Sequence, residues 1–137
     1  MCSEYLLRSL TLLRNLDWGD QDTALVGLAI AQANVAHLDA PGGEGVAYAD
    51  VDRAVPDELR RPVSVLAVSA TLGFPYETTR RHVARLLDLG VCVRVRGGLV
   101  VQSEQVESPR VRELISANFA NVRRLFRSLR TVGVELD

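Results

Sequence analysis

The chain has 137 residues, the length of one ordinary domain, and its 47% apolar but only 5% aromatic content excludes a disordered chain and demands an aliphatic core. No run reaches the ~18 uninterrupted apolar residues of a membrane helix, and the opening "MCSEYLLRSL" lacks a signal peptide's basic start and small-residue cleavage site. Net charge is −1, but Met1–Leu59 holds 3 Arg and 10 acids (net −7) whereas Arg60–Arg130 holds 13 Arg and 5 acids (net +8), an asymmetry that says more about partners than the total does.

Ser3 to Leu16 predicts a helix capped by Ser3, with Leu6, Leu10 and Leu13 at three-to-four spacing. Asp17-Trp18-Gly19-Asp20 interrupts it. A second helix runs from Asp20 or Asp22 to about Leu38 and is apolar on more than one side. That pattern suits a helix central to the core or one shared with a second subunit. Asp39 to Gly45 reads as a linker, Tyr48 to Val55 as a short helix, and Pro56 to Arg61 as a further turn. Pro62-Val63 is a short extended piece. Ser64 caps a helix over Val65–Leu72 that Gly73 ends, and a further helix runs from Tyr76 to Leu89 with Gly90 as its stop. "VCVRV" and "LVV" are β-rich runs joined by a two-residue turn at Gly97-Gly98. Pro109 or Val111 opens a last helix to about Val132, with an apolar stripe that includes Leu114, Phe119, Val122 and Phe126.

Two helices joined by a short Gly-containing turn and followed by a hairpin form a DNA-reading unit. Ser69 and Ala70 are small enough for a close helix crossing, and Gly73 can take the positive φ of the turn. On the second helix Thr79, Val83, Leu86 and Leu87 share an inward face. Glu77, Arg80, Arg81, Ala84, Arg85 and Asp88 lie on or near the opposite one. "SVLAVSATLGFPYETTRRHVARLLDLGVCVRVRGGLVV" resembles the winged helix-turn-helix of bacterial transcription regulators, the broad superfamily that includes the MarR, GntR and IclR groups. The resemblance covers Ser64 to Val101 and implies that Tyr76–Leu89 is the recognition helix and Arg94–Gly98 the wing. In this chain Pro75 stands where such helices usually carry a Ser or Thr cap, and His82 stands where an aliphatic residue is common.

The expected fold is mainly α with a small β-hairpin: a winged helix-turn-helix with added N- and C-terminal helices. Residues 1–40 form a helical pair for core or dimerisation, 41–61 a linker with short helices, 62–101 the winged unit, and 107–133 a C-terminal helix for dimerisation or packing. The expected function is sequence-specific binding of double-stranded DNA by a cytoplasmic homodimeric regulator. The DNA-contacting residues would be Ser64, Tyr76, Glu77, Thr78, Arg80, Arg81, Arg85, Arg94 and Arg96. The rival is a winged module that binds protein rather than DNA, with the acidic N-terminal half as its docking surface. A set of solvated arginines paired to Glu77 or Asp88 is the plainer account of the outward face. Cys2 and Cys92 are too far apart in sequence for a clustered zinc site, and no phosphate loop, nucleophile triad or carboxylate pair is recognisable. Neither enzymatic activity, metal nor cofactor is expected.

Overall fold

The computed structural model describes residues 1–39 and 54–135. It is mainly helical with one small two-stranded antiparallel sheet. In chain order the elements are α1 (Cys2–Leu13), α2 (Gln21–Val35), α3 (Val65–Leu72), α4 (Tyr76–Asp88), β1 (Val93–Val95), β2 (Gly98–Val100), a single turn α5 (Ser103–Val106) and α6 (Pro109–Thr131). The expected linker after Asp39 and most of the helix expected from Tyr48 lie outside the described residues.

The first helix differs from expectation at both ends. Met1, not Ser3, occupies the N-cap position, and no side chain caps the helix. It stops at Leu13 rather than Leu16 because the chain then tightens through i→i+3 bonds, such as Leu16 N–H to Leu13 O at 3.2 Å. That tightening turns Leu16 and Trp18 into the core, where both are buried. Asp20 then caps α2, its Oδ1 accepting from the Thr23 N–H at 2.9 Å.

α2 is the central helix and packs against α1, α3, α4 and β2. Its apolar surface is consumed within the chain: Ala24, Val26, Gly27 and Ile30 are all buried. Gly27 has a specific reason to be glycine. A Cβ there would lie 2.7 Å from Trp18 Cε3 and 3.3 Å from Leu86 Cδ2, so the indole and α4 both rest on the α2 backbone. The α-helix ends at Val35 and the chain continues as a 3₁₀ turn through Asp39.

Asn34, fully buried near the end of α2, ties this helix to the sheet. Its Nδ2 donates to Arg61 O at 2.7 Å and to Leu99 O at 3.0 Å. Its Oδ1 accepts from Val101 N–H at 3.0 Å, and its own carbonyl accepts from Arg61 N–H at 2.8 Å. Between these bonds Val63 and Leu99 exchange N–H···O bonds of 3.1 and 2.8 Å, so the extended Pro62-Val63 piece adds a third, one-residue strand to the hairpin.

The hairpin register corrects the expected turn. Val95 faces Gly98, so the two loop residues are Arg96 and Gly97, and Gly98 belongs to β2. Both glycines have positive φ, but Gly98 meets a further demand: a Cβ there would run into the Val63 carbonyl. The strands are also shorter than the β-rich runs, and Cys92 precedes β1 instead of lying within it. Burial pushes the Cys92 thiol up to about 11, so it behaves as a small core hydrophobe.

α1 runs antiparallel to α6. Ser9 Oγ donates to Asn118 Oδ1 at 3.4 Å, and Arg110 Nη1 donates to Asn15 O at 3.0 Å, while Met1 to Arg8 flank Asn121 to Ser128. The first turns of α6 join the core through Val111, Leu114 and Ile115, and the rest of α6 forms a two-helix arm with α1. Of the twelve exposed large hydrophobic side chains among the described residues, eight belong to this arm and its C-terminal extension: Met1, Leu6, Leu7, Leu10, Phe119, Phe126, Val132 and Val134.

Replacing Asn34 with Ala strands the Arg61 carbonyl and the Val101 N–H, while Leu99 O keeps its bond from Val63 N–H. We expect a loss of about 3 kcal/mol, measured as a fall in urea midpoint. A loss below about 1 kcal/mol would mean that water replaces the carboxamide without cost.

Candidate nucleic-acid interface

The α3–turn–α4–hairpin unit owes its shape to four local devices. Ser64 caps α3, its Oγ accepting from the Ala67 N–H at 3.1 Å. Gly73 ends α3 in the left-handed conformation at φ +70°, with its N–H on Ser69 O at 2.9 Å. Ser69 Oγ donates to Phe74 O at 2.6 Å and holds the turn shut. Pro75 occupies the N-cap of α4 without a side-chain cap bond. Its carbonyl instead accepts from both Thr79 N–H (3.0 Å) and Thr79 Oγ1 (3.1 Å).

At the far end α4 closes with paired bonds across Gly90. Gly90 N–H reaches Leu87 O at 3.1 Å and Val91 N–H reaches Leu86 O at 2.9 Å. These are the 5→2 and 6→1 bonds of a Schellman motif, and Val91, the residue after the glycine, is buried. This cap fixes the angle at which the chain leaves α4 for the hairpin.

The inward face of α4 is Thr79, Val83 and Leu86, all buried. The outward face carries Glu77, Arg80, Arg81, Ala84, Arg85 and Asp88, all exposed. Tyr76 is exposed at the first turn and Thr78 is half-buried. The three arginines differ in their partners. Arg80 grips Glu77, with Nε 3.1 and 3.0 Å from the two carboxylate oxygens and Nη2 2.8 Å from Oε1. That grip holds the Glu77 carboxyl below its usual range and the Arg80 guanidinium above its own. Arg85 does not pair with Asp88. Its Nη1 reaches across to Asp20 Oδ2 at 3.2 Å. Arg81 makes no hydrogen bond or ion pair with any other described residue.

Arg94 lies in β1 and Arg96 in the turn; both are exposed and without an ion pair among the described residues. Ser64 is exposed, but its hydroxyl serves its own helix. Two features escaped the sequence reading. Arg61 is exposed two residues before the third strand, beside the hairpin, where Gly97 packs near Pro62. The start of α2 is bonded to α4 twice, through Asp20–Arg85 and through Thr23 Oγ1 and His82 Nδ1 at 2.9 Å. His82 is half-buried, with its ring 6.3 Å from that of Phe74, and is occupied by packing.

Hydrogen bonds from Thr23, with help from the Arg85 charge, hold the Asp20 carboxyl below its ordinary 3.8. The group is thus a better acid folded than unfolded. Its stabilisation is complete above 3.8 and is lost as pH falls through the lower folded value. Among the described residues no cluster of metal-ligating side chains is present, and no helix is long and apolar enough to cross a membrane. The chain matches no protein-family model, no curated protein and no solved structure.

Asp20→Ala should cost about 1 kcal/mol at neutral pH, and Asp20→Asn less, because an amide oxygen can still accept from Thr23 N–H. The Ala deficit should narrow in denaturation curves taken below pH 3.8. A deficit that stays constant down to strongly acid pH would show that the carboxylate charge contributes nothing.

Proposed function

We propose that the chain is a winged helix-turn-helix regulator that binds double-stranded DNA as a cytoplasmic homodimer, with α4 as its recognition helix and the β1–β2 hairpin as its wing. The observation that carries this reading is the exposed, unpaired Arg81 on the outward face of α4, backed by Arg94 and Arg96 on the hairpin. An arginine without an internal hydrogen bond or ion pair can offer both prongs of its fork to guanine O6 and N7. Arg80, oriented by Glu77, stands beside it, and the wing arginines suit phosphates.

One recognition helix reads only a few base pairs, so useful specificity calls for two copies. The arm supports this. Its eight exposed side chains amount to on the order of 700 Å² of surface per protomer, close to the ~800 Å² that each partner gives to a standard interface. Leu6 and Leu10 share one side of α1, and Phe119 and Phe126 one side of α6, as a self-complementary helical contact requires. The acidic N-terminal segment enters this reading as support for Arg85. The rival reading, a protein-binding module, draws its support from Arg80 and Arg85, whose charges are already answered by Glu77 and Asp20.

Gel-shift titration against selected duplexes decides between them. Arg81→Ala should weaken the best duplex by about 1–3 kcal/mol, and Arg96→Ala should lower the salt slope by about one unit for every sequence. A folded Arg80/Arg81/Arg85→Ala triple variant with undiminished affinity would end the DNA assignment. Light scattering should give a dimer for the unaltered chain and a monomer for Phe126→Glu.

A further inference from the structure

A cavity of about 340 Å³ lies between α2, the start of α6 and the segment around Arg60. Among the described residues its walls are almost wholly apolar, with Trp18, Leu28, Leu114 and Ile115 among them. Arg60 is the one charged residue among its described lining, and Gln32 the one neutral amide. The volume falls in the ~300–1,000 Å³ range of small-molecule sites, which are mostly apolar with a few placed polar groups.

Arg60 is the anomaly. Its side chain is only 3% exposed, a rare state for an arginine in the absence of a close anion. Nε donates to Val55 O at 3.2 Å, and the nearest carboxylate among the described residues, Asp57, is 3.8 Å away. That carboxylate is half in water, and its Oδ1 already accepts from Ser103 N–H at 2.7 Å. Loss of hydration outweighs the attraction of Asp57 and Glu107, so the guanidinium is less basic than in water. Among the described residues this buried cation is thinly compensated, and beside the apolar lining it is complementary to one ligand chemistry: a single negative charge on an apolar body.

We propose that this cavity binds a compact apolar monocarboxylate, with its carboxylate on Arg60 and its hydrocarbon body against Trp18, Leu114 and Ile115. A dianion such as a phosphate monoester fits less well, because no second cation lines the described wall. The site stands apart from the outward face of α4, and its occupancy does not depend on whether the chain reads DNA.

Trp18 is the sole tryptophan, 1% exposed and part of the wall, so its emission reports directly on the cavity. The full chain is titrated with octanoate, octanamide and octylammonium, with fluorescence and calorimetry as readouts. We expect saturable binding of octanoate, about tenfold or more weaker binding of the neutral amide, and none of the cation. Arg60→Gln should bring octanoate down to the level of the amide. Because that variant removes a buried group, Leu114→Phe is tested beside it: it keeps Arg60, narrows the cavity and should weaken octanoate about tenfold. Equal affinity of octanoate and octanamide for the unaltered chain would overturn the proposal, as would the absence of a saturable signal up to about 10 mM octanoate.

Discussion

The Asn34 carboxamide ties the central helix α2 to the small sheet. It offers two N–H bonds to the carbonyls of Arg61 and Leu99 and one acceptor to the Val101 N–H, a combination only an amide side chain can present. A two-stranded hairpin with three-residue strands is not stable alone in water. The β1–β2 hairpin persists because Leu99 and Val101 are buried on α2 and because Asn34 satisfies the backbone where strand pairing stops. The position of the hairpin relative to α4 is therefore set from beneath, by α2. The Schellman closure at Gly90 sets it only from one side.

The basic and acidic halves of the chain are not independent surfaces. The acidic segment contributes Asp20, which both caps α2 and restrains Arg85 on α4. Within α4 the neighbouring Glu77 restrains Arg80. The outward face is thus graded: one arginine tied across the fold, one tied along its own helix, one untied. Exposed pairs of this sort contribute little to stability. Their effect is to restrict where the guanidinium forks point, and that bears on recognition more than on folding.

Much of the fold was legible where the chemistry is local. The ends of α3 and α4 fall within a residue of the positions that Ser64, Gly73, Pro75 and Gly90 dictate, because caps and left-handed stops act over three or four residues. The outward set on α4 was legible from helical periodicity alone. What was not legible lay across long separations. Asn34 meets Arg61, Leu99 and Val101 from 27 to 67 positions away, and Arg85 passes over Asp88 for Asp20, 65 positions distant. The sequence places the hairpin turn one residue late because two adjacent glycines offer the same freedom. Only the approach of the Val63 carbonyl, a tertiary contact, selects Gly98 as the strand residue. The solvent-facing leucines of α1 look like any amphipathic stripe until the partner helix is seen to cover only one side of them.

α6 is one unbroken helix of 23 residues, rooted in the core at Val111 and free of it well before Thr131. The distance from Ile115 to Thr131 is roughly 24 Å at 1.5 Å per residue. A tilt of about 5° at the rooted end therefore swings the tip by about 2 Å. Small repacking around Leu114 and Ile115 becomes a displacement as large as a side-chain contact at the outer end of the arm. In mechanical terms the helix is a lever whose fulcrum is a wall of the apolar cavity and whose load is whatever the arm holds.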